Sequence, residues 1–148
     1  MSVRKKFDRN LYQKNDPHKE VVLSHLRVEE HAYWHVNPDR YGPDLQTIWD
    51  DQITEYAEIE VKQHWRGGAI FPFPTLQIPS RKEKWLDLWL KFWILSADRE
   101  YAISVGTDVL IEHSTRQIVP NRYVRYGETF IVVPVGMCEI IKLRGDQT

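Results

Sequence analysis

Asp44, Glu58, Glu60 and Lys62 are the residues whose types and spacing could do chemistry in this chain. From Ala57 to Lys62 apolar and polar residues alternate, so in a strand Ala57, Ile59 and Val61 share one face and Glu58, Glu60 and Lys62 the other. The apolar face can anchor the strand in a core, which leaves two acids and a cation side by side. Asp44, preceded by Gly42-Pro43, can reach the same place from a neighbouring strand. Such a group suits metal-assisted phosphodiester hydrolysis, which needs an activated water, neutralised non-bridging oxygens and help for the departing alkoxide. Magnesium prefers oxygen ligands and usually takes one or two carboxylates, keeping waters for its other positions. Asp44 and Glu60 are the expected ligands, with the Val61 carbonyl as a third from the protein. Lys62 would position the attacking water or stabilise charge on the phosphorane. Its ammonium also offsets repulsion among Asp44, Glu58 and Glu60.

These groups need elements to hold them. Asp16-Pro17 reads as a helix start, a capping side chain followed by proline at the first helical position, and the helix is expected to run to about Glu29 or Glu30. Ala32 to Val36 is aromatic and β-branched enough for a strand, ended by Asn37-Pro38. Leu45 to Trp49 and Thr54 to His64 read as a hairpin turning at Asp50-Asp51. Gly67-Gly68 with Pro72, Pro74 and Pro79 marks a long irregular connection. Ser80-Arg81-Lys82-Glu83 fits a capping box, which predicts a helix from Arg81 to about Phe92. Tyr101–Val105, Val109–His113, Phe130–Val135 and Glu139–Leu143 are expected to be short strands, placing extra strands in the C-terminal half.

A chain of 148 residues, 42% hydrophobic, is long enough for one domain with a real core and too short for two ordinary ones. We therefore read 1–148 as a single domain, with 1–15 as a loose polar arm. The single cysteine, Cys138, excludes a disulfide framework and multi-cysteine zinc patterns and suits a reducing, cytoplasmic setting. The most apolar run, Trp85 to Leu95, is too short to span a bilayer and contains Asp87 and Lys91, so no membrane role is expected. The first residues lack the apolar region of a secretion signal. The net charge of −1 conceals an asymmetry: Asp39 to Glu60 holds seven acids against Arg40, whereas Val61 to Lys91 holds six bases against Glu83 and Asp87. An acidic pocket beside a basic flank is what a divalent cation and a phosphate backbone together demand.

Pro43-Asp44 and Glu60-Val61-Lys62, preceded by a helix containing Glu20, resemble the half-motifs of the PD-(D/E)XK nuclease superfamily, which includes restriction endonucleases and Holliday junction resolvases. The similarity covers about Asp16 to His64. It implies an α/β fold with a mixed, restriction-endonuclease-like central sheet flanked by helices, dependence on magnesium with manganese substituting, and a DNA substrate. It also implies a homodimer, two sites serving two strands, and a place for Glu20 beside Asp44 and Glu60 in the metal site. Glu29 or Glu30 is the alternative helix acid, and Pro38-Asp39 is a second candidate for the first half-motif.

Gln63, His64 and Arg66 follow the lysine strand and are candidates for nucleic-acid contact. Arg81, Lys82 and Lys84 begin the next predicted helix, whose first amides could also bind phosphate. Arg116, Arg122 and Arg125, interleaved with Tyr123 and Tyr126, could touch a backbone and a base, although exposed positions on a strand account for them as well. His31 and His35, with His18 and His25 nearby, offer a weaker zinc alternative without a His-Glu-x-x-His motif. Trp85, Trp89 and Trp93 recur at four-residue steps, the spacing of a buried helical face.

Overall fold

A computed structural model describes residues 16–121 and 124–144, with the backbone alone described for 121 and 124–126. The arm at 1–15, Arg122 and Tyr123, and the side chains of Arg125 and Tyr126 lie outside this description. The described chain is a mixed α/β structure built mainly from sheet. It runs α1 (Pro17–Glu29), β1 (Trp34–Val36), β2 (Leu45–Trp49), β3 (Gln52–Lys62), β4 (Thr75–Pro79), a 3₁₀ helix (Ser80–Trp85), β5 (Leu90–Ser96), β6 (Tyr101–Gly106), α2 (Thr107–His113), β7 (Thr115–Asn121), β8 (Val124–Pro134), a second 3₁₀ turn (Val135–Met137) and β9 (Glu139–Lys142). Six strands form one sheet in the order β1-β2-β3-β5-β6-β9, and three form another in the order β4-β8-β7. In the larger sheet only β3 and β5 run parallel; its other neighbours are antiparallel.

Alternation along the central strands divides the core into two layers. Ala57 on β3, Trp93 and Leu95 on β5 and Ala102 on β6 pack against Val22, Leu23 and Leu26 of α1. The opposite face carries Phe92, Ile94, Ile103 and Val105, which meet Leu76, Ile78, Ile131 and Val133 of the smaller sheet and Leu110 of α2. Helices therefore flank the large sheet unequally: α1 covers one face, while a second sheet and the short α2 cover the other. Ala57 and Glu58 thus face opposite layers, as their alternation requires.

Asp16 caps α1 as expected, its side chain accepting from the His18 amide at 2.9 Å, with proline at the first helical position. The β2–β3 hairpin turns on Asp50 and Asp51, both at positive φ (52° and 62°), a conformation that aspartate tolerates better than most residues.

Three elements differ from the sequence expectation. The predicted helix from Arg81 to Phe92 is a 3₁₀ stretch ending at Trp85, followed by strand β5; Pro79 holds the N-cap position and no side chain caps it. Leu90 to Ser96 is a short apolar run, buried at every position except Lys91, and such a run suits an interior strand as well as a helix. Its parallel pairing with β3 decides the matter, and the tryptophan spacing is not a helical face: Trp93 is buried in β5 while Trp89 is exposed. Val109 to His113, expected as a strand, lies in α2, which begins after Gly106. Strand β4 emerges from the proline-rich connection, with Pro79 at its end, where a missing amide costs little.

Candidate active site

The hairpin register sets the site. Trp49 pairs with Gln52 at the turn, but a bulge between Thr47 and Ile48 shifts the ladder by one, so that Leu45 lies opposite Ala57. Asp44 therefore stands opposite Glu58, on the same face, rather than opposite Ala57. The Asp44 amide donates to Glu58 Oε1 (3.1 Å), and Asp44 Oδ2 accepts from the Ile59 amide (2.9 Å). Glu60 follows Glu58 on that face, so Asp44, Glu58 and Glu60 form a row of carboxyl groups at the junction of the two sheets.

Two lysines close on this row. Lys82 descends from the 3₁₀ helix and is almost fully buried (6% exposed); its Nζ lies 3.0 Å from Glu58 Oε2 and also contacts Glu60 Oε1. Lys19, on α1, reaches Asp44 Oδ1 at 3.1 Å. Lys19, Leu23 and Leu26 sit at i, i+4 and i+7 and share the buried face of α1, which is why Lys19 meets the hairpin. Arg81 Nη2 approaches Glu60 Oε1 at 3.9 Å from the solvent side.

Glu58 is the most perturbed acid of the group. Burial first, then the neighbouring Asp44 carboxylate, push its carboxyl up to about 8, with the Lys82 ammonium acting in the opposite direction. Glu58 is thus easier to protonate than an ordinary carboxyl, with Asp44 and Lys82 acting on it in opposite directions.

The expected site residues do not all converge. Asp44, Glu60 and Lys62 lie on the shared face, and Val61 and Lys62 line a cavity that also touches Glu60. Lys62 forms no ion pair with the acids; its ammonium stands over the Phe73 ring, 5.2 Å from the centroid. Glu20 is exposed on α1 and makes no ion pair or hydrogen bond to the carboxylate row, and its neighbour Lys19 occupies the place assigned to a helix acid. Glu29 instead pairs with Arg144 at 2.5 Å, and Glu30 accepts from Trp34 Nε1 at 2.7 Å.

Of the basic candidates, Gln63, His64 and Arg66 are exposed beyond the end of β3, Arg81 is exposed beside Glu60, and Lys84 lies over the Trp85 ring at 4.8 Å. Lys82, expected at a nucleic-acid surface, is instead inside the site, because the 3₁₀ turn points it inward onto Glu58 and Glu60. Arg116 is tied to Glu83. The histidines have separate roles: His25 Nδ1 accepts from the Arg144 amide (3.1 Å), and His35 contacts the Tyr33 carbonyl and Gln46.

Among the described residues no three His, Cys, Asp or Glu side chains are disposed as a ready metal cage. Magnesium does not require one, since one or two carboxylates with waters suffice. Asp44, Glu58 and Glu60 offer oxygen donors, the kind that hard cations take, and in this structure Lys19, Lys82 and Arg81 stand against them. Comparison with models of protein families, with curated proteins and with solved structures yields no match to this chain.

Proposed function

We propose that this chain is a magnesium-dependent DNA endonuclease of the PD-(D/E)XK kind, hydrolysing phosphodiester bonds with water as nucleophile, and with manganese able to replace magnesium. The observation that carries the reading is the row of Asp44, Glu58 and Glu60 on one sheet face, with Lys82 among the carboxylates and Lys62 beside them, without an ion pair to any described residue. Asp44 and Glu60 would hold the ion, with the Val61 carbonyl in reach by sequence, and the ion would supply Lewis-acid neutralisation of the phosphate oxygens. Lys62, paired with no acid among the described residues, is the group to meet the phosphate or orient the attacking water. Lys82 keeps adjacent carboxylates from repelling one another before the ion binds. Glu58, whose carboxyl is pushed up by burial and by Asp44, would ionise more readily with a cation held beside it.

Within this class, branched or junction DNA is the first substrate to test, two copies of the chain would serve two strands, and the single cysteine suits a cytoplasmic setting. Among the described residues no helix is long and apolar enough to cross a membrane. The test is cleavage of supercoiled plasmid and of a four-way junction with magnesium. Cleavage by the parent and background alone for Glu60→Ala is expected; equal cleavage by Glu60→Ala removes the assigned site.

A second reading, a nucleic-acid-binding or assembly module without turnover, is favoured by one feature: Lys19, Lys82 and Arg81 already neutralise the acids. Divalent-cation titration separates the two. A cation that binds the folded site raises the melting temperature with concentration, and one that finds no site leaves it unchanged.

A further inference from the structure

Beside Glu60 the two sheets enclose a cavity of about 210 Å³, lined by Val61, Lys62, Phe71, Leu76, Gln77, Ile94 and Phe130 among others. Phe71, Leu76 and Ile94 are buried core side chains, so part of its wall is apolar and aromatic, while the lining as a whole is about evenly polar and apolar. Its polar side chains are Glu60, Lys62 and Gln77. Among the described residues the Gln77 side chain makes no hydrogen bond, and the Lys62 ammonium meets only the Phe73 ring.

We infer that this cavity takes one unpaired nucleobase of the substrate strand, adjacent to the phosphodiester that the carboxylate row would cut. The inference rests on the nuclease reading and narrows it. The cavity is smaller than the roughly 300 Å³ at which sites for drug-sized ligands begin, so it suits a single ring system and not a whole dinucleotide. Phosphate alone would have no use for the Phe71, Phe130, Leu76 and Ile94 walls. A planar heterocycle uses them for stacking, and a primary amide can both donate to and accept from a base edge. Lys62 and Glu60 border both the cavity and the carboxylate row, so a base seated here leaves its own phosphate beside Glu60.

A consequence follows for the substrate. A base stacked inside a duplex presents neither face, so the strand must be single-stranded at this position or must extrude the nucleotide. Single strands, flaps and mismatched sites are then preferred to continuous duplex.

The test uses a single-stranded oligonucleotide with 2-aminopurine at successive positions, titrated with the full chain in EDTA, after which magnesium is added and cleavage is followed. Parent protein is compared with Gln77→Ala and Phe130→Ala, each checked for folding by its circular-dichroism melt. Gln77 is only half-buried, which keeps one variant available if Phe130→Ala does not fold. The expected result is a position-specific fluorescence change with the parent, binding roughly 5- to 150-fold weaker for Phe130→Ala, the range for loss of one base–aromatic stack, and binding roughly 2- to 10-fold weaker for Gln77→Ala, the range for loss of one neutral hydrogen bond. Equal binding by parent and variants, or no binding by the parent, overturns the base site, whereas cleavage in that case still upholds the nuclease reading. Pocket-dependent binding without cleavage under any divalent ion upholds the base site and overturns the nuclease reading.

Discussion

Replacing Glu58 with Gln should change the pH dependence of stability in a calculable direction. In the folded chain the Glu58 carboxyl lies at about 8 against an ordinary value of 4.5, so the native state binds this proton more tightly than the unfolded state. Stability from this group is therefore complete below about 4.5, falls as pH rises, and is exhausted above about 8. Each unit in that window is worth about 1.4 kcal/mol, so the 3.5-unit difference (8 − 4.5) sets a ceiling of about 5 kcal/mol. Gln is close in shape and neutral at every pH. Its amide oxygen can accept from Lys82 or from the Asp44 amide, as Glu58 Oε2 and Oε1 do. Urea unfolding of parent and Glu58→Gln at pH 5, 7 and 9 is the assay. The two should agree within about 1 kcal/mol at pH 5, and the variant should be the more stable by several kcal/mol at pH 9. A difference that does not change with pH would refute the assignment of a buried, proton-holding carboxyl beside Asp44.

Three further outcomes follow from the same geometry. Lys82→Met removes the buried partner of Glu58 and Glu60 and should cost about 3–5 kcal/mol, more at pH 9 than at pH 6 because Glu58 ionises in between, as read from urea midpoints. Leu26→Ala, at a buried position between α1 and the sheet, should cost about 2–5 kcal/mol in the same assay. Gly127→Ala should lower stability by more than about 1 kcal/mol, because Gly127 has φ +86° and an added Cβ would lie 2.8 Å from Ile118 Cγ2; an unchanged melting temperature would contradict that backbone conformation.

What the sequence revealed was local, and what it hid was not. Asp16-Pro17 specified the start of α1 because a cap and a fixed φ act within one turn. The period of two from Ala57 to Lys62 placed the acids and Lys62 on one face because pleating alone dictates it. The partner of Asp44 depends on a single bulge between Thr47 and Ile48, for which the residues carry no signal, so the sequence puts Glu58 on the shared face without showing its direct contact with Asp44. Leu90 to Ser96 could not be told from a helix because a fully buried strand shows no alternation; only its parallel pairing with β3, some thirty residues away, distinguishes it. Lys82 was hidden for the same reason, since a lysine after a capping pattern reads as surface until the 3₁₀ turn brings it onto Glu58 and Glu60. Lys19 was legible in principle: it shares the apolar face of α1 with Leu23 and Leu26, an unusual place for a cation without an acid to meet.

Anomalous diffraction from crystals soaked in manganese addresses the carboxylate row most directly. One manganese peak is expected about 2.1 Å from oxygens of Asp44 and Glu60, with the Lys82 ammonium withdrawn from Glu60. Saturating manganese that leaves no peak there, with Lys19 and Lys82 still on the acids, would contradict the account.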